Sequence, residues 1–462
     1  MIQFDVRSVA AITGGQLLQN GADVVVQGIS TDSRTLQPGD LFVPLRGERF
    51  DGHDYLTQAV RNGAAACLSE EIVAGLTIPV VQVRDTLQAL GDLAHAVRQG
   101  FTGPVVGITG TSGKTTTKEM LAAILARTGP GLKSSGNFNN LIGVPQTLFG
   151  LEPEHRWAVI EMGMSARGEI ARLAQIAAPA IGVITNVGAG HLQQLGGISG
   201  VARAKGELFI HLPAEGTAIV NADDPQIVPL PLANGVRRVT FGCCAEAQVR
   251  GSAISAIDST VGFTLHLPGE EIQVRLPLPG RHNVHNALAA AAAAWVLGVP
   301  AGEIAAGLGG FSPCPGRMEL IALAADVLLL EDSYNANPLS MRAALDALSD
   351  LGRHGRRIAV LGDMLELGPT ARDLHREVGS LVAERADWLF TLGELAREIA
   401  GGAVDSGLSR ERCIAVENVD ELVVKLRGIL QPGDRVLVKG SRGMRMERIG
   451  AALSGIAPAA GH

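Results

Sequence analysis

Residues 105–125 read VVGITGTSGKTTTKEMLAAIL, an apolar run, a glycine-rich loop and a helical pattern in immediate succession. Gly110 and Gly113 let such a loop curl until its backbone N–H groups point inward at an anion. Lys114 adds a charge suited to β- and γ-phosphates, and Thr115 offers a hydroxyl to a metal ion. The strict G-x4-G-K-[ST] pattern is not met, because Ile108 stands where its first glycine would be; a plain glycine turn before a helix is the alternative. A generic P-loop ATPase would next offer an apolar strand ending in Asp to hold Mg2+; the nearest equivalent here is WAVIEMG, which carries Glu161. A surface acid at a strand end is the alternative reading of Glu161. Farther on, TNVGAGHL places His191 after another apolar run, as a metal ligand or a solvated imidazole, and ARAKGELF carries Lys205. That lysine stands out because the chain has 39 basic residues of which only six are lysines, at 114, 118, 133, 205, 425 and 439. Where arginine serves for solvated charge, a retained lysine is a candidate for chemistry that needs an amine.

These residues have to be positioned by elements. VVGIT (105–109), WAVIEM (157–162), AIGVITN (180–186) and TAIVNA (217–222) each close on a polar or glycine-rich loop. Continuous apolar runs separated by helical patterns predict a largely parallel sheet covered on both faces. Ligands of such sheets sit at the carboxyl ends of the strands. The first hundred residues, free of lysine, alternate short apolar runs with turn clusters such as STDSR (30–34) and a helix from about Thr86 to Arg98. They predict a self-contained α/β unit bounded by QGFTGP (99–104). Residues 247–280 alternate and predict antiparallel strands attached to the central unit, followed by an alanine-rich helix from His285. FSPCPGR (311–317) is a second boundary, and the strand-then-loop runs beyond it predict a third α/β unit. The expected fold is therefore α/β in three domains, 1–100, 101–314 and 315–462.

Length and composition agree. At about 150 residues per domain, 462 residues suit three. With 46% apolar residues but only 3% aromatic, the cores must be built from Ala, Val, Leu and Ile, which suits close helix-to-sheet packing. A net charge of −7 argues against a nucleic acid or an anionic membrane held by a general basic field, so bound phosphate must be met by local devices. The five cysteines are scattered, odd in number and without metal spacing, and adjacent Cys243 and Cys244 are poorly placed to bridge each other. They predict a reduced, cytosolic chain. MIQFDVRS shows no secretory signal, and the longest uncharged run, 283–302, is too weakly apolar for a membrane span.

In order along the chain, TGTSGKTT (109–116), EMG (161–163), TNVGAGHL (185–192), the Lys205 segment, GRHNVHNALAA (280–290), PGRME (315–319) and DSYNANP (332–338) resemble the signatures of the Mur ligases. These are ATP-dependent amide-bond-forming enzymes of peptidoglycan assembly. The resemblance runs from about residue 30 to the end of the chain, and the combination of motifs is specific where no single one is decisive. The family's phosphate loop has the form TGT-x-GK, which accounts for Ile108. SSGNFNNLIGVP (134–145), DSYNANPLSM (332–341) and GDMLELG (362–368) are similar to the members that join D-alanyl-D-alanine to UDP-N-acetylmuramoyl-tripeptide. The D-Y-A-H-x-P and D-N-P-R-like motifs of the diaminopimelate- or lysine-adding members are not found, nor is the D-G-A-H-N-P type loop of folylpolyglutamate synthases.

The resemblance implies a central P-loop domain with a mostly parallel sheet, an α/β N-terminal domain for the uridine nucleotide, and a Rossmann-like C-terminal domain that closes on ATP and receives D-alanyl-D-alanine. The enzyme is expected to be cytoplasmic and monomeric. Gly110, Thr111, Ser112, Gly113, Lys114, Thr115 and Thr116 would hold ATP phosphates. Thr115 and Glu161 would hold one of two Mg2+ ions and His191 the other. Lys205 matches the lysine that the family carbamylates with CO2, giving a carboxylate-like anion that can ligate or orient around Mg2+; an ion pair to Glu207 or a phosphate contact is the alternative. His282, Asn283 and Asn286 match the adenine-side motif, with helix capping as the other reading of one asparagine. Arg317 matches an arginine that reaches the phosphates on closure, or else makes a linker salt bridge. Asp332 resembles the ribose-binding acid, beside Tyr334, Asn335 and Asn337, although turn chemistry before Pro338 selects the same asparagines. Ser33, Arg34 and Arg49 correspond to the uridine-diphosphate end, and Asn139 and Asn140 to the sugar-peptide portion. The rival class is an ATP-driven switch, which predicts an Asp-ended strand and leaves HNVHN and DSYNANP without a role. Another Mur-type, cyanophycin-type or folate-type amide ligase is the runner-up.

Overall fold

The computed structural model describes residues 3–18, 21–47, 50–73, 75–190, 192–257, 259–351 and 355–455. Its three larger sheets follow one another along the chain. In the first, Val80–Gln82, Ala66–Ser69, Asp40–Phe42 and Gly28–Ser30 run parallel, with Gln16–Leu17 antiparallel at one edge. Helix Thr86–Gln99 covers this sheet. It starts where the Asp85 carboxylate accepts the Gln88 backbone N–H, which satisfies a donor that the first turn would leave orphaned. Its Leu90 and Leu93 enter the first core, while Ala94 belongs to the core of the next sheet.

The central sheet has nine strands. Leu132–Lys133, Ala158–Glu161, Val105–Thr109, Ile181–Ile184, Thr217–Asn221, Arg237–Gly242 and Val249–Ile257 lie in that order and are parallel. Thr260–Leu267 and Glu270–Leu276 then continue antiparallel, as the alternating pattern predicts. Every residue of the three strands centred on Val105–Thr109 is buried. Their order means that the glycine loop, Glu161 and the 185–190 loop emerge side by side at one end of the sheet.

Helices Lys114–Leu125 and His282–Val296 pack in one core, and Glu169–Ala177 and Ile198–Ile210 in the other. Ala287 and Ala289–Ala294 are fully buried. Small side chains permit this close layering: a Cβ on Gly307 would meet the Cα of Ile124 at 2.5 Å. The alanine-rich helix begins at His282 rather than His285. Its first turn is fixed by the Asn283 side-chain amide, which donates to Pro279 O at 2.8 Å. The earlier start puts Asn283 and Asn286 on the same helical face, three residues apart.

In the third sheet, Glu319–Ala322 is an antiparallel edge to the parallel series Leu328–Asp332, Arg435–Lys439, Arg357–Gly362, Trp388–Leu392 and Cys413–Val416. Asp332 and Lys439 stand opposite each other in register. No helix among the described residues is long and apolar enough to cross a membrane.

Candidate active site

The glycine loop leaves strand Val105–Thr109 and enters helix Lys114–Leu125 with its backbone folded against neighbouring loops. Gly113 has φ +79°, and a Cβ there would stand 2.2 Å from Asn286 Oδ1. A Cβ on Gly110 would stand 1.9 Å from Thr185 Oγ1. Both glycines are therefore required by close approach as well as by the turn. Ser112 is clamped by Asn186, which accepts its N–H at 2.9 Å and donates to its carbonyl at 3.0 Å, while Thr185 Oγ1 donates to the same carbonyl at 2.6 Å. The Lys114 ammonium folds back to donate to Gly110 O at 2.9 Å. Burial holds its pKa below the ordinary lysine value, with Glu161 opposing that shift and Arg317 adding to it. An anion at the helix N-terminus would restore the charge that burial disfavours.

Glu161 ends its strand only 2% exposed, which excludes the surface-acid reading. Its carboxylate accepts from Thr115 Oγ1 at 2.8 Å and from Asn139 Nδ2 at 2.9 Å, while Lys118 Nζ lies 3.9 Å away. A buried hydroxyl and carboxylate form a hard-oxygen pair that fits Mg2+. Lys205, on helix Ile198–Ile210, is 3% exposed. Burial pushes its pKa well below the ordinary value and the charge of Lys114 pushes it further. Glu207 is not its partner, because that carboxylate accepts the backbone N–H groups of Gly168 and Ala171. Among the described residues the Lys205 ammonium has no hydrogen-bond or ion-pair partner. An amine in that state fits conversion to an anion better than service as a lone buried cation.

The third sheet contributes the facing wall. Asn337 Nδ2 donates to Ser112 Oγ at 3.1 Å across the two units, and its Oδ1 accepts Ser340 N–H at 2.9 Å to cap helix Pro338–Leu351. Asp332 Oδ2 accepts from Lys439 Nζ at 2.5 Å and Oδ1 from the Met318 backbone N–H at 3.2 Å. The Arg317 guanidinium lies over the Tyr334 ring, 4.0 Å from its centroid, rather than in a salt bridge among the described residues. His282 is pushed down to about 4, chiefly by burial, so its imidazole is neutral near pH 7. Asn286 Nδ2 donates to Asn283 Oδ1 at 3.0 Å.

One cleft of about 600 Å³ gathers Thr111 to Thr116, Asn139, Glu161, His282, Asn283, Asn286, Arg317, Asp332, Tyr334, Asn335 and Asn337. Gly110, Lys205, Asn140, Ser33 and Arg34 are not in its lining. Asn140 Oδ1 accepts the N–H groups of Ile142 and Gly143, capping helix Gly143–Leu148. Ser33 is buried in the first unit, and Arg34 is exposed and paired with Asp32 at 2.6 Å. Their loop reaches the central unit through Gln146 Nε2, which donates to Thr31 Oγ1 at 3.1 Å. Arg49 and His191 lie outside the described residues.

Sequence reasoning assigns no role to Lys118, Lys439 or Asn186. Lys118 is fully buried, donates to Ser134 O at 2.7 Å and pairs with Glu119 at 3.1 Å. Lysine scarcity was the available signal for the two lysines. Asn186 stands in the same TNVGAGHL loop as His191 but has no distinctive residue chemistry in sequence.

Comparison with known proteins places this cleft in context. Models described as Mur ligase family, catalytic domain, Mur ligase middle domain, and Mur ligase, glutamate ligase domain match residues 25–98, 108–294 and 316–442. The UDP-N-acetylmuramoyl-tripeptide–D-alanyl-D-alanine ligase of Escherichia coli (strain K12) is 40% identical, over 98% of this chain and 99% of its own. A crystal structure of MurF from Acinetobacter baumannii superposes with a TM-score of 0.92 at 35% identity, covering 98% of this chain and 99% of that one. MurF ligase from Thermotoga maritima in complex with ADP gives a TM-score of 0.83 at 27% identity, covering 93% and 97%.

Proposed function

The chain belongs to the Mur ligase family, and from that premise we propose that it joins D-alanyl-D-alanine to UDP-N-acetylmuramoyl-tripeptide. ATP is consumed to ADP and phosphate in a cytoplasmic step of peptidoglycan precursor assembly. One observation carries the reading: in a chain matched end to end by ligases named for this reaction, the glycine loop, Glu161 and the Asp332–Asn337 loop meet over a single cleft.

A carboxylate does not react with an amine at neutral pH, because its carbonyl is unreactive and its leaving group would be oxide. The tripeptide's terminal carboxylate oxygen attacks the γ-phosphorus of ATP, releasing ADP and leaving an acyl phosphate. The amine nitrogen of D-alanyl-D-alanine then attacks the acyl carbon, and the tetrahedral intermediate expels inorganic phosphate as the amide forms. Both reactants of the first step are anions, so positive charge has to be concentrated between them in a chain whose own net charge is −7. Lys114 and the N–H groups of Gly110 to Thr116 receive the phosphates, with Arg317 reaching them from the third unit. His282, Asn283 and Asn286 form the adenine wall, and Asp332, Tyr334, Asn335 and Asn337 the ribose side.

Thr115 and Glu161 would hold one Mg2+ and His191 a second, supplying Lewis-acid neutralisation of the phosphate oxygens. Lys205, carbamylated by CO2, would supply a further anion to orient that metal site; its depressed pKa favours the neutral amine that such chemistry needs. Residues 1–100 capture the uridine nucleotide, with Ser33, Arg34 and Arg49 at its diphosphate end and Asn139 and Asn140 toward the sugar-peptide. Residues 101–314 carry out the ATP chemistry, and 315–462 close the cleft and admit the dipeptide.

The purified chain should release phosphate only when UDP-N-acetylmuramoyl-tripeptide and D-alanyl-D-alanine are supplied together. Phosphate release with a glutamate-tailed folate and glutamate instead would sink the assignment. Running the assay with lysine- and diaminopimelate-ended tripeptides identifies the natural third residue.

A further inference from the structure

We propose that Asp223, Cys243 and His285 form a binding site for a thiophilic divalent cation of the Zn2+ class at the rim of the nucleotide cleft. The three residues come from separate parts of the chain. Asp223 follows strand Thr217–Asn221, Cys243 follows the neighbouring parallel strand Arg237–Gly242, and His285 lies in the first turn of helix His282–Val296. One carboxylate oxygen, the Cys243 Sγ and one imidazole nitrogen all lie within 4.8 Å of one another. Tetrahedral zinc sets such atoms roughly 3.3–3.8 Å apart, so side-chain rotation alone can close the set.

The carboxylate is already fixed in place. Asp223 Oδ2 accepts the Cys243 backbone N–H at 2.6 Å, Oδ1 accepts that of Cys244 at 2.9 Å, and His285 Nε2 sits 2.9 Å from Oδ2. These bonds tie the sulfur-bearing loop to the anion and to the imidazole before any ion arrives. Three protein ligands leave the fourth tetrahedral position to water. Asp223 is exposed and the other two residues partly so, which leaves an entry path.

Sulfur, nitrogen and oxygen together favour Zn2+ or Co2+ over Mg2+, which prefers oxygen alone. The ion is therefore a different one from any that accompanies ATP. Asp223 and His285 line the nucleotide cleft together with His282, Asn283 and Asn286. An ion there anchors the helical turn that carries the adenine wall, so ion and nucleotide affinities are linked reciprocally.

The test uses the full chain, stripped of metal by chelation and titrated with Co2+ alone. A saturable thiolate-to-cobalt charge-transfer band is expected, reversed by Zn2+ and indifferent to Mg2+. It should vanish in the Cys243→Ser/Cys244→Ser variant, and Co2+ affinity should fall at least about tenfold in His285→Ala, since removing even an outer-shell partner of a ligand costs about that much. Unchanged circular dichroism shows that both variants fold. Absence of the band in the parent chain, or its persistence in the double-serine variant through Cys67, Cys314 or Cys413, overturns the site. Co2+ affinity that is the same with and without saturating ADP overturns the linkage.

Discussion

At the residue scale the lysines are the most informative type. Lys118, Lys205 and Lys439 are 0%, 3% and 2% exposed, and Lys114 and Lys439 line the cleft. Lys133 and Lys425 instead keep half-exposed side chains in pairs with Glu119 and Glu421, of the sort worth little in water. An arginine-using chain thus keeps lysine mainly where a compact, titratable amine is enclosed. Of these, Lys205 is the one whose burial has no compensating partner among the described residues. Lys205→Ala is expected to lower kcat on the order of 10²–10³-fold, the scale of losing one preorganised charge at a reacting centre. Short carboxylic acids should restore part of it, and Lys205→Arg should stay inactive. Steady-state phosphate release with added acetate decides the matter; an Ala variant with undiminished activity leaves the carbamate reading without support.

At the element scale the glycine loop, Glu161, Asn186 and Asp332 sit where parallel strands end, and strand ends are what continuous apolar runs advertise. Strand Leu328–Asp332 delivers Asp332 to the cleft and, one residue earlier, Glu331 to a buried position against Gly450, where a Cβ would stand 3.0 Å from the carboxylate. Burial chiefly, then Glu319 and Glu447, push Glu331 up to about 7 from an ordinary 4.5, against the opposing Ser333 hydrogen bond. The folded state therefore holds a proton that the unfolded chain releases. Its contribution to stability is full below about 4.5 and is lost as pH rises through about 7. Glu331→Gln should flatten the fall of Tm across that window by a few degrees, read by thermal melts at matched ionic strength; parallel Tm curves for the two proteins would contradict it. The runs that predicted strands succeeded because a strand between covered faces is apolar throughout. The alanine-rich helix starts three residues before the pattern predicts because His282 and Asn283, which open its first turn, are polar and carry no apolar helical periodicity.

At the scale of the whole molecule the cleft exists only where the second and third units meet. Asn337 joins them through Ser112 and also caps its own helix. Asn337→Asp keeps a capping oxygen but aims an anion at bound phosphates. Tm should hold within about two degrees while KM for ATP rises roughly tenfold or more, equivalent to about 1.4 kcal/mol. Initial rates against ATP concentration test this, and an unaltered KM would mean that the residue serves the helix alone. What the sequence by itself determined was everything with a local signature: the strand-ending loops, the glycine turn into a helix, the order of the motifs and hence the family resemblance. Tertiary structure alone decided which groups share a neighbourhood. Lys439 reaches Asp332 from 107 residues away and His285 reaches Asp223 from 62, and the Cys243 sulfur comes within 4.8 Å of both Asp223 and His285 ligand atoms. Burial and Coulomb interaction depend on distance through the fold, and periodicity along a chain carries no measure of that distance.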